Sequence, residues 1–189
     1  NVIEADTTLN EEDSFSSFQT TGFHRTNNEL KDKHSIRETN IGCNVEYNYK
    51  NLSTGVNVTS AGLNIPIAKD TDPYKFYNFT GDQLYNSGVH YSYLYKNINL
   101  FGEVAVSTNN IVELNNNNFF ANNSAYINGV IASLSPGAAI SLLHRNYAVN
   151  YHSLKGDALA EASLNNNEKG LYFGALLTPY NNWTFSVYY

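Results

Sequence analysis

The sequence predicts an all-β chain, an antiparallel up-and-down transmembrane β-barrel seen in part, with about nine strands of a larger barrel. Three observations predict it. Apolar residues recur at every second position through several stretches, the mark of a strand with one apolar face. Tight turns alternate with long polar connections, as in a meander with turns at one end and loops at the other. Aromatic residues sit on the apolar rows beside the tight turns, where a membrane barrel meets the water interface.

Each element follows from its residues. A less certain strand is expected near 14–25. Ile41, Cys43, Val45, Tyr47 and Tyr49 then alternate with Gly42, Asn44, Glu46, Asn48 and Lys50. A helix at that spacing would smear the apolar residues round its surface. After the tight turn Lys50–Asn51 come Leu52, Thr54, Val56 and Val58, set against Ser53, Gly55, Asn57 and Thr59. Val89, Tyr91, Tyr93 and Tyr95 form the next row, and the turn Lys96–Asn97 leads to Leu100, Gly102, Val104 and Val106. A weaker strand near 126–134 precedes the turn Ser135–Pro136–Gly137 and the row Ala138, Ile140, Leu142. Leu171, Phe173, Ala175 and Leu177, a turn at Pro179–Asn182, and Trp183, Phe185, Val187 and Tyr189 complete the set. Long connections are expected near 25–37, 62–87, 108–125 and 147–169. The aromatic girdle of the short-turn end is Tyr47, Tyr49, Tyr93, Tyr95 and Trp183. On the opposite rows Glu46, Glu103 and Arg145 are candidate lumen-facing groups, for a solute path, a plug contact or simple hydration of a barrel interior.

Composition narrows the classes. One Cys excludes a disulfide framework or a thiolate zinc site, and no apolar run is long enough for a membrane-spanning helix. Charged residues make up 15%, well under the roughly 25% of an average soluble domain. The net charge is -6, and five of the acids (Glu4, Asp6, Glu11, Glu12, Asp13) open the chain without a base among them. Residues 1–13 therefore read as an acidic lead-in to one barrel section covering 1–189. No basic cluster is present, so nucleic acid is not expected to bind this segment. The chain lacks Met even at position 1, which suits a processed chain or a piece of a longer one. The last strand stops at Tyr189 with no turn after it, where an open edge would face lipid. An incomplete section of a larger barrel is the expectation.

Chemistry is thinly signalled, and no cofactor, metal or catalytic residue is expected. His24, His34, His90, His144 and His152 show no ligand spacing. Asp70, Asp72 and Asp82 fall in the longest connection without the spacing of a calcium loop. Cys43 lies on an apolar row, where a thiol is inert, and Ser141 with His144 is one Ser/His pair among many Ser residues. Five N-x-Ser/Thr sequons, at Asn51, Asn57, Asn78, Asn122 and Asn182, match chance in a chain with 30 Asn. Asn115–Asn118 and Asn165–Asn167 read as solvated spacers.

Several strings carry a resemblance. They are Thr21-Gly22-Phe23-His24-Arg25-Thr26 with Glu29-Leu30-Lys31-Asp32-Lys33, and Gly81-Asp82-Gln83-Leu84-Tyr85-Asn86. Leu100-Phe101-Gly102-Glu103, the run from Leu142 through His144-Arg145-Asn146-Tyr147, and Asn166-Asn167-Glu168-Lys169-Gly170-Leu171-Tyr172 complete them. This set resembles large Bacteroidota outer-membrane proteins of the helix-hairpin-helix (ComEA-like) type, across most of residues 20–180. The resemblance implies helix-hairpin-helix repeats ahead of a C-terminal barrel, with this chain matching a middle section of that barrel. No glycine-centred hairpin of the DNA-contacting kind occurs in the sequence, so DNA binding is carried to no residue.

The functional expectation is an integral outer-membrane β-barrel of a Gram-negative bacterium, non-catalytic. It would act as a channel or as a scaffold subunit of a larger transport, secretion or surface complex. Membrane lipid is the expected partner, with other outer-membrane subunits beside it. The alternative is a soluble secreted β-sandwich that binds glycans or surfaces through its loops.

Overall fold

The computed structural model describes residues 2–5, 14–15, 18–19, 25–68, 72–73, 76–110, 118–156, 159–160, 166–180 and 182–189. Among the described residues ten strands form one antiparallel sheet. Eight carry the architecture: β3 (Ile36–Tyr49), β4 (Leu52–Ile67), β5 (Gly81–Tyr95), β6 (Ile98–Thr108), β7 (Ser124–Ser135), β8 (Ala138–Tyr147), β9 (Glu168–Tyr180) and β10 (Trp183–Tyr188). Each pairs with its neighbours in sequence, so the sheet is a pure up-and-down meander. Two short strands, β1 (Val2–Ala5) and β2 (Phe18–Gln19), extend it beyond the start of β3. The sheet is open: among the described residues β10 pairs only with β9, and the lower part of β3 only with β4.

The expected alternation of connections is present from β3 to β10. Two-residue turns join β3 to β4, β5 to β6 and β7 to β8, and a short turn joins β9 to β10, while long connections fill the other three links. Lys50 and Lys96 each adopt a positive φ of 52°, and each places its Nζ over the ring of the Tyr before it, 5.1 Å from Tyr49 and 5.4 Å from Tyr95. A left-handed residue other than glycine is costly, and the cation–ring contact offsets part of that cost.

Three details correct the reading of the sequence, while the strand expected near 14–25 lies mostly outside the described residues, which there hold the bridge residue Phe15 and the two-residue β2. Part of the lead-in, Val2–Ala5, is strand β1. The connection expected over 62–87 is far shorter, since β4 runs to Ile67 and β5 begins at Gly81. Pro66 sits where the β4–β5 register breaks, between Gly62 and Ile67, so its missing N–H interrupts no ladder bond. Pro179 likewise lies inside β9 rather than in the turn.

A short helix, α1 (Asn27–Asp32), occupies the connection before β3. Thr26 Oγ1 accepts from the Glu29 amide at 3.2 Å, and the Glu29 carboxylate accepts from the Thr26 amide at 2.9 Å. The Arg25 amide, followed by the Thr26 amide, donates to the Glu29 carboxylate and holds its carboxyl below the usual range. A second short helix, α2 (Phe119–Asn123), precedes β7.

Packing is concentrated at the long-connection end. Phe15, Ile36 and Leu63 are buried together there, with Phe18, Ile65 and Ile67 against them. Leu84, Phe79, Phe119, Ala125 and Tyr147 are the other buried apolar residues. The strand bodies below them have two contrasting faces. On one, directly opposed residues run Val45, Val56, Val89 and Val104 across four strands. All four stay 49% to 65% exposed. Leu100, Leu142, Leu171, Phe173, Leu177 and Phe185 continue the same exposed apolar face. Asn128 is a polar residue on that face, and its side-chain oxygen accepts a hydrogen bond from Tyr91 Oη at 3.1 Å.

Candidate functional site on the polar face

The opposite face gathers the charged groups. Registers place Glu46 opposite Gly55, Gly55 opposite His90, His90 opposite Glu103, Glu103 opposite Ile127, Ile127 opposite Arg145, and Arg145 opposite Gly170. One hydrogen-bonded row across seven strands therefore contains all three lumen candidates together with His90. Glycine makes room for the large side chains. A methyl group on Gly55 would come 2.5 Å from His90 Cε1, and one on Gly170 would come 2.9 Å from Arg145 Nε. The imidazole and the guanidinium therefore lie across the sheet over their glycine neighbours. Arg145 Nη2 is 2.5 Å from Glu168 Oε1, a nearly buried diagonal pair, since Glu168 stands opposite Tyr147. Glu46 is exposed near the turn, where it accepts a hydrogen bond from Ser53 Oγ at 2.9 Å.

After β8 the described residues 148–156 and 159–160 lie over this face as a strap. Its hold begins at the backbone, where the Ala148 amide donates to the Ser124 carbonyl and the Asn150 amide to the Asn122 carbonyl, both at 2.9 Å. Ser107 Oγ, buried in β6, accepts from the His152 amide at 2.8 Å. The His152 ring packs edgewise on Phe79, and burial pulls its pKa down to about 4, so it is neutral at pH 7. At the far side Lys155 Nζ is 3.0 Å from Glu38 Oε2 in β3. Tyr147 Oη donates to the Leu159 carbonyl at 3.4 Å.

Under the strap lies a cavity of about 370 Å³. Glu103, Ala105, Ala125, Ile127 and Tyr147 line it from the sheet and Tyr151, Ser153 and Leu159 from the strap, and it stays partly open. Burial, with the Glu103 carboxylate and Tyr147 nearby, pushes Tyr151 up to about 12. The site thus presents one carboxylate and two phenols in a partly apolar chamber, beside an internally neutralised Arg–Glu pair.

The sequence candidates divide as follows. Glu46, Glu103 and Arg145 share the row, but only Glu103 lines the cavity. Tyr47, Tyr49, Tyr93, Tyr95 and Trp183 all stand exposed at the short-turn end, with Tyr47 stacked on Tyr49 and Trp183 on Phe185. Ser141 and His144 project from opposite faces of β8, so they form no pair; His144 packs against Tyr126. Cys43 is exposed on the apolar face. Among the described residues no three His, Cys, Asp or Glu side chains converge; His24 and Asp70 lie outside them. Sequence reasoning missed Tyr147, Tyr151 and His152 as a group, since only the strap's path brings them to Glu103. His90 was legible as a member of the polar row.

No family model matches the chain, and neither a curated protein nor a solved structure is significantly similar to it.

Proposed function

We propose that the chain is a section of an integral outer-membrane β-barrel of a Gram-negative bacterium, serving as a non-catalytic channel or scaffold subunit in a transport, secretion or surface complex. The observation that carries this reading is the contrast between the two faces. The valine row and its neighbours leave a broad apolar face exposed, far more than a monomer normally shows to water. Lipid would cover that face, and the aromatics beside the short turns would sit at the headgroups. The polar row and the strap would then occupy the interior. The strands are long enough for this, since β3 to β9 have 10 to 16 residues and a tilted span needs about 9–11. The resemblance to helix-hairpin-helix barrel proteins of Bacteroidota agrees with the proposal.

Fractionation of the native organism, then detergent extraction and mass spectrometry of co-purifying chains, tests it. Recovery in the outer membrane supports the barrel, and the co-purifying chains separate channel from scaffold. Recovery as a soluble monomer overturns it in favour of a secreted β-sandwich whose apolar face is covered by a second layer.

A further inference from the structure

The cavity beneath the strap has a chemical character of its own. Arg145 pairs with Glu168 and Lys155 with Glu38, and Glu103 takes part in neither pair. Its carboxylate lies along the sheet toward Gly88, where a methyl group would come 3.3 Å from Oε1. Tyr147 and Tyr151 supply aromatic lining, Tyr126 and Ser153 contribute as well, and the rest is small or aliphatic. At about 370 Å³ the chamber lies in the lower part of the range for small-molecule pockets, roughly 300–1,000 Å³.

A carboxylate and phenol rings lining one partly desolvated chamber make a cation-binding chemistry. The carboxylate supplies charge-assisted hydrogen bonds, the rings supply cation–π attraction, and the aliphatic wall accepts a short alkyl chain. Anions are disfavoured, because the guanidinium next in the row is already held by Glu168.

We propose that this cavity is a binding site for a small organic ammonium cation, with Glu103 as its charge partner and Tyr147 and Tyr151 as its aromatic wall. The site is defined by the strap and by strands β6 to β8, and it stands whether or not the chain resides in a membrane.

Calorimetric titration of the purified full chain with n-butylammonium chloride tests it. Butan-1-ol serves as the neutral probe of matched size. Saturable binding of the ammonium is expected, weakened roughly tenfold or more in Glu103→Gln, with butan-1-ol binding at least as weakly as that variant. Absence of saturable ammonium binding overturns the proposal, as does equal affinity for the two probes. Unchanged ammonium binding in Glu103→Gln overturns it as well. The comparison of the two probes on the unaltered protein holds even if the variant folds poorly. Fractionation tests the membrane reading separately, so either proposal can fail without the other.

Discussion

Lys155 Nζ stands 3.0 Å from Glu38 Oε2, tying a strap residue that is 62% exposed to a carboxylate side chain with no exposed surface. The geometry fixes the far end of the strap to β3, while Ser107 fixes its middle to β6. Because one partner is solvated, the pair is weaker than a fully buried one.

Lys155→Ala should therefore cost about 1 kcal/mol, concentrated in the strap. Hydrogen exchange is the measurement. Amides over 150–156 should lose protection while those of β5 and β6 keep theirs. Equal loss across the sheet would show that the strap does not open on its own.

The docking of His152 should depend on pH. Burial lowers its folded pKa from the ordinary 6.5 to about 4, so the unfolded or undocked state takes up a proton first. Stability is complete above pH 6.5 and is lost as pH falls through the window from about 6.5 to 4. The loss by pH 4 is on the order of 2 kcal/mol after allowing for partial exposure. Amide exchange at Tyr151 and His152, followed from pH 7 to 4, should show it, and His152→Phe should flatten the dependence.

Facing is the next consequence. Val104 lies on the exposed apolar row and Glu103, its neighbour, on the polar row. In lipid vesicles Val104→Arg should cost about 2–4 kcal/mol, and Glu103→Arg much less. Urea unfolding of both variants checks this, and comparable losses would sink the assignment of the apolar face to lipid.

Gly55 tests the row. A methyl group there meets His90 Cε1, so Gly55→Ala should displace the imidazole and cost about 1 kcal/mol. Adding His90→Ala should recover most of the loss, since the clash partner is gone. Denaturant melts of the two single variants and the double variant close the cycle.

By itself the sequence determined the strands and their faces. Alternation at Ile41 to Tyr49 or Val89 to Tyr95 is a local property of the chain, set by the two-residue repeat of a strand, and the tight turns at Lys50 and Lys96 fix the register of their hairpins. Even α1 had its signature in Thr26 and Glu29, a capping box that the search for alternation overlooked. Strand ends were harder, because Gly62, Pro66 and Asp82 have loop chemistry and yet lie within β4 and β5, which pair with their neighbours beyond the legible rows. Only the tertiary structure decided the site. Register across six strands aligns Glu46, His90, Glu103 and Arg145, residues that no sequence spacing connects. The strap brings Tyr151 over Glu103 and Lys155 to Glu38. Such contacts depend on where a long connection finds its hydrogen-bond partners, and those partners come together only once the sheet has formed.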